Sequence, residues 1–172
     1  WIPRYYVGEK IGYVLGDASN AYGKVISKSW LARAKKEEVS FSPEAGWDDV
    51  KLKTFRRHIV ELGKTGFTFI YDELEAEEPV TWSYLLHTVT NPMNVNMVNE
   101  FVHVQATSKN GISDAYLLGS DELKTDTTSQ FFTPATNWLR ADDKGNFKKY
   151  PNHWHFTATS GKHKVYRFGT II

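Results

Sequence analysis

With 172 residues the chain is long enough to bury roughly 70% of its extended surface, so it supports one well-packed domain. A formal net charge of +1 supplies no global field to recruit nucleic acid or an anionic membrane, and the lack of cysteine excludes a disulfide framework, a thiolate nucleophile and any cysteine-based zinc site. Aromatic residues make up 15% of the chain, which suits pleated strands, and no apolar run approaches the ~20 residues that span a bilayer. Trp1-Ile2-Pro3-Arg4-Tyr5 has neither an initiator Met nor a signal-peptide profile, so the sequence reads as starting in mid-protein, as an excised domain or processed product.

Residues 4–7 and 11–15 read as short strands separated by Gly8-Glu9-Lys10. The second runs into Gly16-Asp17-Ala18-Ser19-Asn20, where glycine permits unusual backbone angles and the polar side chains bond their own backbone. Asp17 is therefore read as a turn former rather than a metal ligand. Residues 24–36 carry the one helical pattern, with Ser27 as cap and Trp30, Leu31 and Ala34 at helical spacing. Residues 37–53 are mixed and acidic, with Pro43-Glu44-Ala45-Gly46 as a turn, and read as an insertion loop.

Residues 54–88 organise the chain and predict three strands joined by two polar turns. Residues 57–62 and 67–71 are dense in β-branched and aromatic residues, and Gly63-Lys64-Thr65-Gly66 supplies the positive-φ positions of a tight reversal. Glu75-Ala76-Glu77-Glu78-Pro79 reads as a solvated acidic turn, after which residues 80–88 alternate, with Val80, Trp82, Tyr84 and Leu86 on one face. Beyond an Asn-rich connection at 91–96, residues 100–107 form a strand, and Asn110-Gly111 turns it into residues 112–118. Residues 119–143 are irregular, Asp143-Lys144-Gly145-Asn146 is a turn, and two last strands, 152–159 and 164–171, flank Ser160-Gly161-Lys162. About ten short strands and one short helix predict an all-β chain, an antiparallel β-sandwich in a single domain over residues 1–172.

Two of these stretches also carry a family resemblance. Arg56-Arg57-His58, an apolar strand, a glycine turn, Tyr71-Asp72-Glu73-Leu74-Glu75-Ala76 and then Trp82-Ser83-Tyr84-Leu85-Leu86-His87-Thr88 resemble the β-sandwich region of heparinase II/III-like polysaccharide lyases. Gly16-Asp17-Ala18-Ser19-Asn20-Ala21-Tyr22 is similar to the strand that precedes that hairpin in the same family. The resemblance covers the first half of the chain and implies the C-terminal part of a lyase-type super-sandwich. It also implies β-elimination at a uronic acid, in which a base takes the proton α to the carboxylate and an acid protonates the leaving oxygen. The Tyr and His residues for this come, in that family, from an upstream α/α-toroid and from a His-containing early strand that binds a divalent metal in some members. Only residues 1–15 precede the Gly-Asp-Ala strand here and none is His, so no catalytic residue transfers to this chain. The expectation is a fragment inactive by itself, without its own cofactor, partnered by an upstream helical toroid and an acidic polysaccharide, in a periplasmic or secreted protein.

The candidate site residues are few. His153 and His155 share one strand face, a geometry that holds a metal only if a third ligand arrives from elsewhere. Arg56 and His58 face one way and Arg57 the other, so Arg56 and His58 alone can meet a carboxylate or sulfate together. His87 closes its strand as a further sugar-facing candidate, Trp138 and Trp154 are the exposed stacking candidates, and Trp82 is assigned to the core. Asp72 and Glu73, adjacent at a strand end, do not make two carboxyls facing across a cleft. A second class of function, a non-catalytic carbohydrate-binding or adhesion sandwich, fits the same residues.

Overall fold

The structure, a computed structural model, describes residues 1–21, 51–89, 91–129, 140–141, 144–148 and 153–172, together with Ala32 and Lys36. Among these, eleven strands form: β1 (Arg4–Val7), β2 (Gly12–Asp17), β3 (Leu52–Glu61), β4 (Thr68–Thr88), β5 (Asn94–Val98), β6 (Phe101–Ser108), β7 (Gly111–Gly119), β8 (Lys124–Thr128), β9 (Arg140–Ala141), β10 (Phe147–Lys148) and β11 (Trp154–Ile171). Nine belong to one antiparallel sheet in the order β1-β2-β3-β4-β11-β7-β6-β5, with β8 on the free side of β11's first half, and β9 pairs β10 separately.

β4 and β11 are the spine. They pair from Trp154↔Thr88 to Ile171↔Phe69, and the first half of β11 meets β8 while its second half meets β7. Strand alternation gives each a single inward face: Leu74, Ala76, Trp82 and Tyr84 on β4, Phe156, Ala158, Tyr166 and Phe168 on β11. β6 and β7 bring Val102, Val104, Ala115 and Leu117 against that face, so the sheet curls over one core and makes the two layers of a sandwich. Complete burial of a side chain such as Phe156 or Leu117 contributes about 1.5–3 kcal/mol.

The antiparallel all-β expectation holds, with two corrections to its turns. The acidic stretch at 75–79 is not a turn, because β4 is one strand of 21 residues. Glu75 and Glu77 fall on outward positions while Leu74 and Ala76 point inward, so alternation survives as far as Ala76; Glu78 shares the inward parity but is exposed, in the segment where β4 has no β11 partner. Pro79 lies where β4 has no β11 partner, between Glu75↔Val165 and Val80↔His163, so its missing N–H costs no ladder bond. Ser160-Gly161-Lys162 is likewise no turn but an irregularity within β11, where register shifts fall between Thr159 and Lys162 and between His163 and Val165. The Ser160 hydroxyl accepts the Trp82 N–H at 3.0 Å and so closes the bulge onto β4.

The Gly63 to Gly66 reversal is as expected, with φ of 40° and 76° at its two glycines. The Asn110-Gly111 hairpin also forms, with Ser108 opposite Gly111. β5 and β8 lie in stretches read as connections, and β3 extends back to Leu52. Of the expected helix at 24–36, only Ala32 and Lys36 are described, both helical and exposed; the rest lies outside the described residues.

Candidate functional site

The outer face of β2, β3 and β4 collects the chemistry. Register places Asp17 beside Arg56 and Arg56 beside Glu73, and in the next row Leu15 beside His58 and His58 beside Tyr71. Arg56 Nε donates to Asp17 Oδ2 at 2.9 Å. Asp17 also receives the Ser19 backbone N–H at 3.0 Å, and the Ser19 hydroxyl and N–H, followed by Arg56, hold its carboxyl well below the usual carboxylate range. The turn role of Asp17 is thus direct, since the Ser19 it fixes also accepts the Phe55 N–H at 2.9 Å.

His58 links two more groups. Its Nδ1 lies 2.9 Å from the Tyr13 hydroxyl and its Nε2 3.1 Å from Glu73 Oε2. A carboxylate only accepts, so the neutral imidazole carries its proton on Nε2 and the Tyr13 hydroxyl donates to Nδ1. Tyr13, His58 and Glu73 therefore form a hydrogen-bonded chain. It lines a groove of about 360 Å³ together with Arg4, Asp17 and Arg56. The arrangement offers donors and acceptors side by side in a concave strip, suited to hydroxyls and carboxylates of a polar ligand.

Arg57 and Asp72 lie on the other face, as alternation requires. Asp72 is buried and receives Arg57 Nε and a terminal guanidinium nitrogen at 2.7 and 2.8 Å, while Arg57 also sits 5.2 Å from the Tyr84 ring centre. Asp72 and Glu73 thus point to opposite sides of the sheet and make no facing carboxyl pair.

The remaining candidates do not join this groove. His87 is fourteen positions beyond Glu73 on β4, roughly 45 Å of strand away. It pairs with His155 across the β4–β11 ladder, with ring centres 4.6 Å apart and edge to face. Trp154, expected to be exposed, is half-buried and packs on the core, because it shares the inward parity of Phe156 and Ala158. His153 and His155 gain no third ligand: no group of three His, Cys, Asp or Glu side chains able to hold a metal forms among the described residues. Trp138 lies outside the described residues, and Trp82 is buried in the core as assigned.

The imidazole cluster sets a pH response. Partial burial of His87, then the neighbouring His155 and His153, lower its pKa from 6.5. A lowered folded-state pKa means the unfolded chain protonates first. Stability is then full above about pH 6.5 and falls as pH drops toward the folded-state value. Urea midpoints measured between pH 7.5 and 5 should show this decline, and His87→Gln should flatten it. Asp17, Asp114 and Asp121 have lowered values and respond in a separate, more acid range, losing their contribution only below the ordinary value of 3.8.

No family model matches this sequence, and no curated protein sequence matches it. Among solved structures the chain is similar to heparan sulfate lyase HepC from Pedobacter heparinus, with a TM-score of 0.54 and 11% identity. That match covers 99% of this chain and 21% of HepC, so the chain spans about a fifth of that protein's length. At this identity the likeness is one of fold. No helix among the described residues is long and apolar enough to cross a membrane.

Proposed function

We propose that this chain is the C-terminal β-sandwich part of a heparinase II/III-like polysaccharide lyase, acting in β-elimination on a uronic-acid-containing polysaccharide by supporting and lining the substrate cleft. The observation that carries this reading is the fold likeness to a heparan sulfate lyase over almost the whole chain. The two resemblance motifs add to it, since Gly-Asp-Ala and Arg-Arg-His fall on adjacent strands and are joined by the Asp17–Arg56 ion pair. Arg56 and His58 meet the acidic sugar in the groove, with His87 and Trp138 as further sugar contacts. The proton-transfer groups, and any divalent metal, belong to an upstream helical toroid and early strand of the same periplasmic or secreted protein. Every titratable group of the groove other than Arg4 already has a partner within it, which suits binding better than proton abstraction.

The isolated chain is expected to release no unsaturated uronate, seen as ultraviolet absorbance, from heparan, chondroitin or alginate polymers. It is expected to bind acidic oligosaccharides prepared from them, and Arg56→Ala to weaken that binding about tenfold, the loss of a charge-assisted contact. Product release by the isolated chain would refute the supporting role. Exposed Tyr5, Tyr6 and Tyr71 favour a second reading, a carbohydrate-binding or adhesion module without chemistry. The parent reading frame separates the two: a helical toroid pattern and a His-containing strand upstream favour the lyase, a linker or repeat array the module.

A further inference from the structure

We propose that the outer face around Gly169 is a stacking platform for an extended glycan, running across the strands from the Arg56 and His58 groove. The proposal rests on the reading above that the chain meets a polysaccharide, and adds where its sugar rings lie. Phe69 and Ile171 are paired, and so are Ile171 and Tyr116, which makes one apolar row from β4 across β11 to β7. In the adjoining row Gly169 sits between Tyr71 and Leu118. Phe69, Tyr71, Tyr116 and Leu118 are 39, 44, 37 and 38% exposed although their strands have neighbours on both sides. An exposed apolar patch of this kind marks a contact surface.

Gly169 identifies the occupant's shape. It is in the interior of a strand, where glycine weakens the strand and often marks the close approach of a ligand. Its backbone is not in the positive-φ region, and a Cβ there would meet nothing within 4 Å. Neither conformation nor crowding requires glycine. What its missing side chain provides is a slot between the Tyr71 ring and Leu118. Phe69 and Tyr116, two strands apart, are separated by about 10 Å at the usual strand spacing, near the repeat of a disaccharide in an extended polysaccharide.

A glycan matches this surface better than a second protein. Sugar rings present an apolar C–H face for stacking and a rim of hydroxyls for hydrogen bonds, and the platform borders the Asp17–Arg56 and His58–Glu73 pairs, which offer donors and acceptors together. A protein partner would seek a continuous dry patch, which the glycine slot and the ionic strip interrupt.

Calorimetric titration with the acidic oligosaccharides, alongside thermal melts, tests the platform. Gly169→Val should leave the melting temperature unchanged or raise it by about 2 °C, since the backbone accepts a side chain, yet weaken binding about tenfold. Tyr71→Ala should weaken it about tenfold through loss of one stacked ring. If wild type binds, Arg56→Ala weakens it and both platform variants bind as wild type, the platform is wrong and the reading above survives. If wild type binds none of the oligosaccharides, that reading and the platform fall together. A dimer in light scattering that Gly169→Val dissociates would instead give the face to a second copy of the chain and overturn the platform.

Discussion

Replacing Arg57 by methionine is expected to destabilise the chain by about 4 kcal/mol at pH 7, the cost of leaving a buried carboxylate without its ion-pair partner. Asp72 is 2% exposed on the core side of β4, and the Arg57 guanidinium pairs with it through two nitrogens. The loss is a large fraction of the 5–15 kcal/mol typical of a domain. Its pH dependence identifies the cause. Without Arg57 the charge of Asp72 is left uncompensated in the core, a cost carried only by the ionised carboxylate, so the deficit against wild type is expected to be larger at pH 7 than at pH 5. The decline through His87 is common to wild type and variant over that range and cancels in the difference between them. Asp72→Ala should cost less, about 3 kcal/mol, because Arg57 is 42% exposed and keeps contact with water. Combining Arg57→Met with Asp72→Leu should recover most of either loss, since a well-packed apolar pair substitutes for a buried ion pair. Urea unfolding at pH 5 and 7 reads all three; a methionine variant equally destabilised at both would show that packing against Tyr84, not charge, is what Arg57 supplies.

The facing of Arg56, Arg57 and His58 was legible in the sequence because it needs only strand alternation. β1 was legible too, its four residues being dense in aromatic and β-branched side chains and bounded by Pro3 and Gly8. The continuity of β4 was hidden, since Glu75, Glu77 and Glu78 give the composition of a turn while Leu74 and Ala76 keep the inward alternation with only two apolar side chains. β8, Lys-Thr-Asp-Thr-Thr, carries no apolar residue at all; it is a strand because β11 offers it a ladder. The groove failed to appear for a related reason. Tyr13 and His58 are 45 residues apart and His58 and Glu73 are 15 apart, so their meeting depends on which strands pair and in what register. Alternation assigns a face; only the ladder brings the faces of β2, β3 and β4 into one site. Trp154 shows the converse error, because its neighbours' parity was readable but which parity faces the core was not.

Tyr166→Ala is expected to be the other severe substitution, costing about 3–5 kcal/mol as a large-to-small change in a closed core. Tyr166 is wholly buried; its ring meets Phe168 edge to face at 4.9 Å and lies 5.3 Å from the His163 ring. Its hydroxyl donates to Asp121 Oδ1 at 2.6 Å, and Asp121 Oδ2 lies 2.5 Å from His163 Nε2. Burial, then the Asp121 carboxylate, push the phenol up to about 12, so it stays a donor at any physiological pH. Gly119 is held to glycine by this arrangement, since a Cβ there would run into the Tyr166 hydroxyl. The cluster ties the end of β7 to the bulge of β11, at the point where β11 passes from β8 to β7. Tyr166→Phe keeps the ring and loses the tie, so it should cost only about 1 kcal/mol. Asp121 owes its lowered pKa first to this hydroxyl, and that contribution is present above the usual carboxylate value and lost as pH falls below it. The phenylalanine variant should therefore lose less stability than wild type between pH 4 and 2. Because Gly169 lies three residues past Tyr166, loosening this joint should also weaken glycan binding without touching the platform, whereas unchanged affinity in Tyr166→Phe would mean that packing alone holds β7 and β11 in register.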